Sequence, residues 1–167
     1  YSNNICGWLS KKGSLANIFQ DHKIDVACIS ETHCEGAKIP EIKGYTTYFR
    51  NRVSKSKGGI CVFIKNDLAE HTMKLESGEG DNEFIVCKID CFDTEIIIIC
   101  FYGVIEQQFT KDNLFKLQNE LFSVVQKYTS QDCHMYWCGD FNNHVKIEDE
   151  ITTPESPGGE NLVRFVQ

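Results

Sequence analysis

No apolar run in this chain is long enough to cross a bilayer; the longest, Ile96 to Tyr102, has the length of a strand. The N-terminus reads Tyr1-Ser2-Asn3, with no initiator Met, no basic region and no apolar signal core, so the sequence is expected to be a piece of a longer polypeptide. No C-x-x-C pair occurs among the nine cysteines, which removes the usual spacing of a structural zinc site. Positive charge is not in excess either. Lys and Arg total 17 against 24 Asp and Glu, giving a net charge of −7. That balance argues against a non-specific nucleic-acid clamp, although a nucleic-acid enzyme with its own acidic site remains compatible with it. Internal repeats and low-complexity tracts are also lacking.

What is present suits one folded domain over residues 1–167. The length allows a real core, and 41% hydrophobic with 25% charged residues is ordinary globular usage. Cys28, Cys61, Cys87, Cys100 and Cys138 sit inside apolar, strand-like runs. Buried free thiols point to a reducing compartment, nucleus or cytoplasm. One basic stretch, Arg50, Arg52, Lys55 and Lys57, reads either as a solvated loop or as the basic rim of a nucleic-acid site.

Periodicity gives the order of elements. Leu15 to His22 reads as a short helix. Val26 to Ser30, Tyr45 to Phe49 and Ile60 to Lys65 read as strands, the last with a clear two-residue period. Phe84 to Asp90 and Glu95 to Tyr102 follow, joined closely enough for a hairpin, and Ile96 to Cys100 is apolar on both faces, as in a central strand. Thr110 caps a helix in which Leu114, Leu117, Leu121, Val124, Val125 and Tyr128 recur at helical spacing. His134 to Cys138 reads as a buried strand, Thr153 to Gly159 as a loop, and Leu162 to Val166 as the start of another helix. Helices outside and strands in the middle make an α/β fold.

The chemistry concentrates at strand ends. Gly139-Asp140-Phe141-Asn142 closes the run His134 to Cys138, and Glu31 closes the run Ile24 to Ser30. Two strand ends presenting acids can build a metal-dependent hydrolase site. Each residue also has a plainer reading. Glu31 reads alone as a solvated surface acid, Asp140 and Asn142 as turn formers, Tyr102 as a core aromatic, and His144 as a loop histidine.

Five segments occur in a telling order: Asn4-Ile5-Cys6-Gly7-Trp8, Ser30-Glu31-Thr32-His33, Gly58-Gly59-Ile60-Cys61-Val62, Phe101-Tyr102-Gly103 and Gly139-Asp140-Phe141-Asn142. This order resembles the endonuclease/exonuclease/phosphatase superfamily, the group of DNase I and the apurinic/apyrimidinic endonucleases. It is most similar to the endonuclease domains of non-LTR (LINE-type) retrotransposons. Gly159 to Phe165 likewise resembles the helix after the last of these motifs. The resemblance implies a four-layered α/β sandwich, two β-sheets packed face to face with outer helices, here incomplete at the C-terminus and amounting to the N-terminal two-thirds or more of the domain.

It also implies roles. Glu31 would be the principal Mg²⁺ ligand, with Asn4 beside it and Mn²⁺ as the substitute ion. Tyr102 would contact or polarise the scissile phosphate. Asp140 would orient or deprotonate the attacking water, and Asn142 would bind a phosphate oxygen, with Asn4 and Tyr102 also on the substrate side. The implied function is a Mg²⁺-dependent endonuclease that nicks DNA, with a reverse transcriptase region in the same parent polypeptide and no membrane partner. Two departures stand out. The family's C-terminal Ser-Asp-His motif has no counterpart, and Val104 follows Tyr-Gly where the subgroup has Pro. The first supports an alternative, a catalytically inactive, truncated or domesticated domain that acts as a protein-interaction module. A third reading is a phosphatase on a small phosphorylated substrate.

Overall fold

Three residues, Ser2–Asn4, form the first strand, β1, and pair in parallel with β2, Val26–Ser30. A parallel pair needs a crossover, which helix α1, Trp8–Asp21, provides. The computed structural model describes residues 1–52, 58–78, 83–91, 94–103, 111–128, 133–140, 142, 145–148 and 151–154. They fall into two units: Tyr1–Tyr102 with Thr129–Asp140, and Gly103–Tyr128 with Phe141–Gln167.

The first unit holds both large sheets. β3, Tyr45–Arg50, and β4, Ile60–Lys65, complete a mixed sheet of order β1-β2-β4-β3. After the short helix α2, Asn66–Ala69, come β5, Thr72–Ser77, β6, Glu83–Cys91, β7, Thr94–Tyr102, and β8, Cys133–Asp140. These four form a second mixed sheet in that order, antiparallel except for the parallel pair β7–β8.

The strand alternation shows why the layers stack. On β4, Cys61 and Phe63 face α1, joining Trp8, Leu15 and Phe19 in one apolar cluster. Phe63 packs against Trp8 (ring centroids 5.4 Å apart) and against Phe19 (5.5 Å). The alternate residues Ile60, Val62 and Ile64 face the other way. They meet Ile85, Cys87, Ile89, Ile98 and Cys100 of the second sheet in a second cluster. A strand buried on both faces is therefore the centre of a helix–sheet–sheet stack. Ile97, Ile99 and Phe101, on the opposite face of β7, are fully buried as well, as the apolar run predicts.

The second unit contains α3, Lys111–Tyr128, in which Leu121 and Val124 are buried, and an antiparallel pair of β9, Val145–Glu148, and β10, Ile151–Pro154. The structure is the expected α/β fold of two mixed sheets packed face to face with helices.

Several boundaries differ from the sequence expectation. α1 starts at Trp8 rather than Leu15, because buried Trp8 anchors a first turn that Gly13 and two lysines disguise. β8 is not buried: among the described residues it is the edge of its sheet, and His134, Met135 and Tyr136 are exposed. Thr153 and Pro154, expected in a loop, end β10, where Pro is tolerated because, among the described residues, the strand pairs with β9 alone. Thr110, Val104, His144, residues 155–159 and the expected helix from Leu162 lie outside the described residues. Among the described residues no helix is long and apolar enough to cross a membrane.

Candidate active site

Two parallel strand pairs bring the site together. In the first sheet Asn4 lies opposite Ser30, and the ladder continues past both strands. Ile5 N–H donates to Ser30 O (3.1 Å), Gly7 N–H to Glu31 O (2.8 Å) and Trp8 N–H to Thr32 O (2.7 Å). In the second sheet Tyr102 lies opposite Asp140. There the glycine before Asp140 is obligatory: a Cβ on Gly139 would sit 1.8 Å from Phe101 O, and φ is +130°. Only a residue without a side chain lets β8 lie this close to β7 at the point where Asp140 emerges.

The two pairs are joined by side chains. Tyr102 Oη donates to Glu31 Oε1 at 2.7 Å, and Asn4 Nδ2 donates to Asp140 Oδ2 at 2.7 Å. Asn4 Oδ1 accepts from Cys6 N–H at 3.2 Å. Asn4 also hydrogen-bonds the Glu31 carboxylate, so four residues named from the sequence, Asn4, Glu31, Tyr102 and Asp140, share one network spanning both sheets. Burial pushes the Glu31 carboxyl up. The Tyr102 hydroxyl, the Asn4 amide, the His33 charge and the Cys6 thiol together outweigh it, so Glu31 is held below the ordinary glutamate value. It is an ionised carboxylate at neutral pH, as a cation ligand must be. Asn142 belongs to the second unit, where its Nδ2 donates to Gly103 O at 2.7 Å.

The surroundings include residues that sequence spacing did not single out. His33 Nε2 lies 3.4 Å from Glu31 Oε2, and Cys6 Sγ is close to both. Arg52 is not a solvated loop residue. Its Nε pairs with Glu83 Oε1 at 2.7 Å, and its guanidinium stands 5.6 Å from the Tyr102 ring centroid. Glu83 is 1% exposed, and its other oxygen accepts from Gly59 N–H at 2.8 Å. Arg50 turns to Ser77 O at 3.4 Å, whereas Lys55 and Lys57 lie outside the described residues. The available signal for Cys6 and His33 was their place in the first two of the five segments. Arg52 was marked only as part of the basic stretch, and Glu83 gave no signal.

Residues 2–146 match the model of the Endonuclease/Exonuclease/phosphatase family. A probable RNA-directed DNA polymerase from transposon X-element of Drosophila melanogaster is 48% identical over 68 residues, 40% of this chain and 8% of that protein. The AP endonuclease LMAP from Leishmania major superposes with a TM-score of 0.73 at 16% identity, over 98% of this chain and 64% of that one. The endonuclease domain of TRAS1, a telomere-specific non-LTR retrotransposon, gives 0.66 at 14% identity, over 98% and 68%. At such identities the structural likenesses speak for the fold. The chain spans under two-thirds of the Leishmania protein and a small part of the transposon polymerase.

Proposed function

The chain belongs to the endonuclease/exonuclease/phosphatase family, and from that premise we propose that it is a divalent-metal-dependent DNA endonuclease of retrotransposon type. The observation that carries this reading is that two carboxylates from different sheets, Glu31 and Asp140, are tied into one network by Tyr102 and Asn4. The name of the Drosophila relative supports a reverse transcriptase region in the same parent polypeptide. The nine cysteines, all free, support a reducing compartment, nucleus or cytoplasm.

Carboxylate and amide oxygens are the donor set that Mg²⁺ favours, so these residues fit the ion. Glu31 would hold it, with Asn4 alongside. When bound, the ion neutralises charge that develops on the phosphate and the leaving oxygen. The protein's own groups do the rest. Asp140, fixed by the Asn4 amide, orients a water and takes its proton as the water oxygen bonds to phosphorus. The bond from phosphorus to the leaving oxygen breaks, and that oxygen collects a proton from solvent. Tyr102 would contact or polarise the scissile phosphate. Asn142, assigned from the family resemblance, would hydrogen-bond a phosphate oxygen without adding negative charge. Nicking of supercoiled plasmid tests the reading. Conversion to open circles in Mg²⁺, abolished by EDTA and by Asp140→Ala, is the expected outcome. Wild-type nicking by Asp140→Ala would rule this site out.

One observation favours a second reading, an interaction module. Among the described residues β8 is a sheet edge, and it exposes Met135 and Tyr136, one on each face of the strand, beside the open edge to which another polypeptide could add. A folded chain that nicks no DNA and binds a protein through this edge would replace the first reading with the second.

A further inference from the structure

We propose that Cys6, Glu31 and His33 form a binding site for a borderline divalent cation of the Zn²⁺ class, with a donor set unlike that of the Mg²⁺ site although Glu31 is common to both. A thiol sulfur, a carboxylate oxygen and an imidazole nitrogen all lie within 4.8 Å of one another. Ligands bound to one Zn²⁺ stand roughly 3.3 to 3.7 Å apart. Glu31 Oε2 and His33 Nε2 are already there, at 3.4 Å. Only the exposed side chain of Cys6 has to close in, by about 1 Å at most on the same ligand geometry.

Three independent features point the same way. His33 Nε2 is buried and makes no hydrogen bond, and it faces the Glu31 carboxylate oxygen at 3.4 Å, a pair that a cation between them would satisfy. Cys6, Glu31 and His33 all hold left-handed backbone, with φ of +48°, +55° and +51°, where β-carbons are unwelcome. They are fixed there by the ladder, through Gly7 N–H to Glu31 O and His33 N–H to Gly58 O (2.8 Å each). Finally, Cys6 is exposed and the His33 ring borders an open cleft with Gly7, Trp8 and Ser10, so the cluster lies at the protein surface.

The chemistry decides the class of ion. Mg²⁺ gains nothing from sulfur and little from imidazole, whereas Zn²⁺ favours both. Three protein ligands leave a fourth position open, the pattern of a reactive rather than a structural zinc site. On binding, the Cys6 thiol loses its proton to solvent. Because Glu31 is shared, Zn²⁺ and Mg²⁺ exclude each other, a consequence that rests on the proposed endonuclease function; the site itself does not.

Co²⁺ titration of the full chain tests the proposal, with Co²⁺ as the coloured stand-in for Zn²⁺. The expected result is a thiolate-to-Co²⁺ charge-transfer absorption that Cys6→Ser abolishes and Zn²⁺ displaces, with affinity at least tenfold weaker in His33→Ala. No such absorption from folded wild-type protein, or one that survives Cys6→Ser, overturns the site. Should Cys6→Ser fail to fold, alkylation of the wild type decides: Zn²⁺ is expected to slow labelling of Cys6 at least tenfold where Mg²⁺ does not, and equal rates overturn the proposal. None of these readouts involves DNA. A chain that gives the absorption but nicks nothing keeps the site and loses the endonuclease reading, and the converse result does the reverse.

Discussion

Tyr102 Oη and Glu31 Oε1 lie 2.7 Å apart, the first at the end of β7 in one sheet and the second just past β2 in the other. Among the groups that hold the Glu31 carboxyl low, this hydroxyl is the largest contributor against the effect of burial. Tyr102→Phe removes it and leaves the ring beneath Arg52 in place. Stability should fall by about 1 kcal/mol, the value of one ordinary hydrogen bond. Plasmid nicking should fall by about 10- to 100-fold, as for other changes to a partner of a metal ligand. Thermal unfolding and nicking on the same preparation would separate the two effects. Unchanged nicking would mean that the bond organises the apoprotein only.

Arg52 and Glu83 are the second coupled pair. Glu83 is almost fully buried, and both of its oxygens are occupied, by Arg52 Nε and by Gly59 N–H. Glu83→Ala leaves a half-buried guanidinium and a buried amide without their acceptor. The expected cost is about 3 to 5 kcal/mol. The double variant Arg52→Ala/Glu83→Ala should be less damaging than the sum of the singles, because the uncompensated charge is gone. Urea titrations of the four proteins give the coupling energy. An additive cycle would show that the pair is not coupled.

These two pairs also show what a sequence can reveal. Glu31, Tyr102 and Asp140 were legible because each ends a recognisable strand, and strand ends are where a sheet presents side chains to a site. Cys6 and His33 were not, because their meeting depends on β1 running parallel to β2 across a 14-residue helix, and Ser2–Asn4 carries no apolar alternation. The start of α1 was hidden for a related reason. Gly7 caps it without a side-chain hydrogen bond, and the first turn is fixed by Trp8 N–H reaching Thr32 O. β5 escaped because an edge strand with a register shift between Lys74 and Glu76 and no buried residue has no clean two-residue period.

Alkaline pH should weaken the protein through its buried thiols. Burial pushes Cys87 up to about 12, and burial likewise raises Cys61 far above the usual thiol range. A thiol whose folded value is raised keeps its proton in the native state while the unfolded chain loses it. Its contribution is therefore complete below the unfolded value, near 8.5, and is lost as pH rises from there toward the folded value. For Cys87 alone the loss by pH 10 is about 2 kcal/mol. Urea midpoints at pH 7.5 and pH 10, for wild type and Cys87→Ala, would show it. The variant starts lower because of the cavity but should lose less on going to pH 10. Parallel losses would mean that Cys87 does not titrate differently on unfolding.

Gly139→Ala tests whether the approach of the two strands places Asp140. The added methyl would lie 1.8 Å from Phe101 O and 2.8 Å from Phe101 C, which are backbone atoms and cannot rotate away. Relief requires β8 to move off β7 at the Phe101–Gly139 pair, one residue from the Tyr102–Asp140 pair. Gly36→Ala is the control, since Gly36 also has positive φ (+58°) but nothing within 4 Å of the added carbon. The control should lose only the conformational cost, about 1 kcal/mol. Gly139→Ala should lose roughly 3 kcal/mol and unfold about 6 to 12 °C lower. At a temperature where both variants are folded, Gly139→Ala should also nick far more slowly than Gly36→Ala, because Asp140 no longer meets the Asn4 amide at 2.7 Å. Equal unfolding temperatures for the two variants would mean that the strands part without cost. Equal nicking by two folded variants would mean that Asp140 does not depend on this pairing for its position.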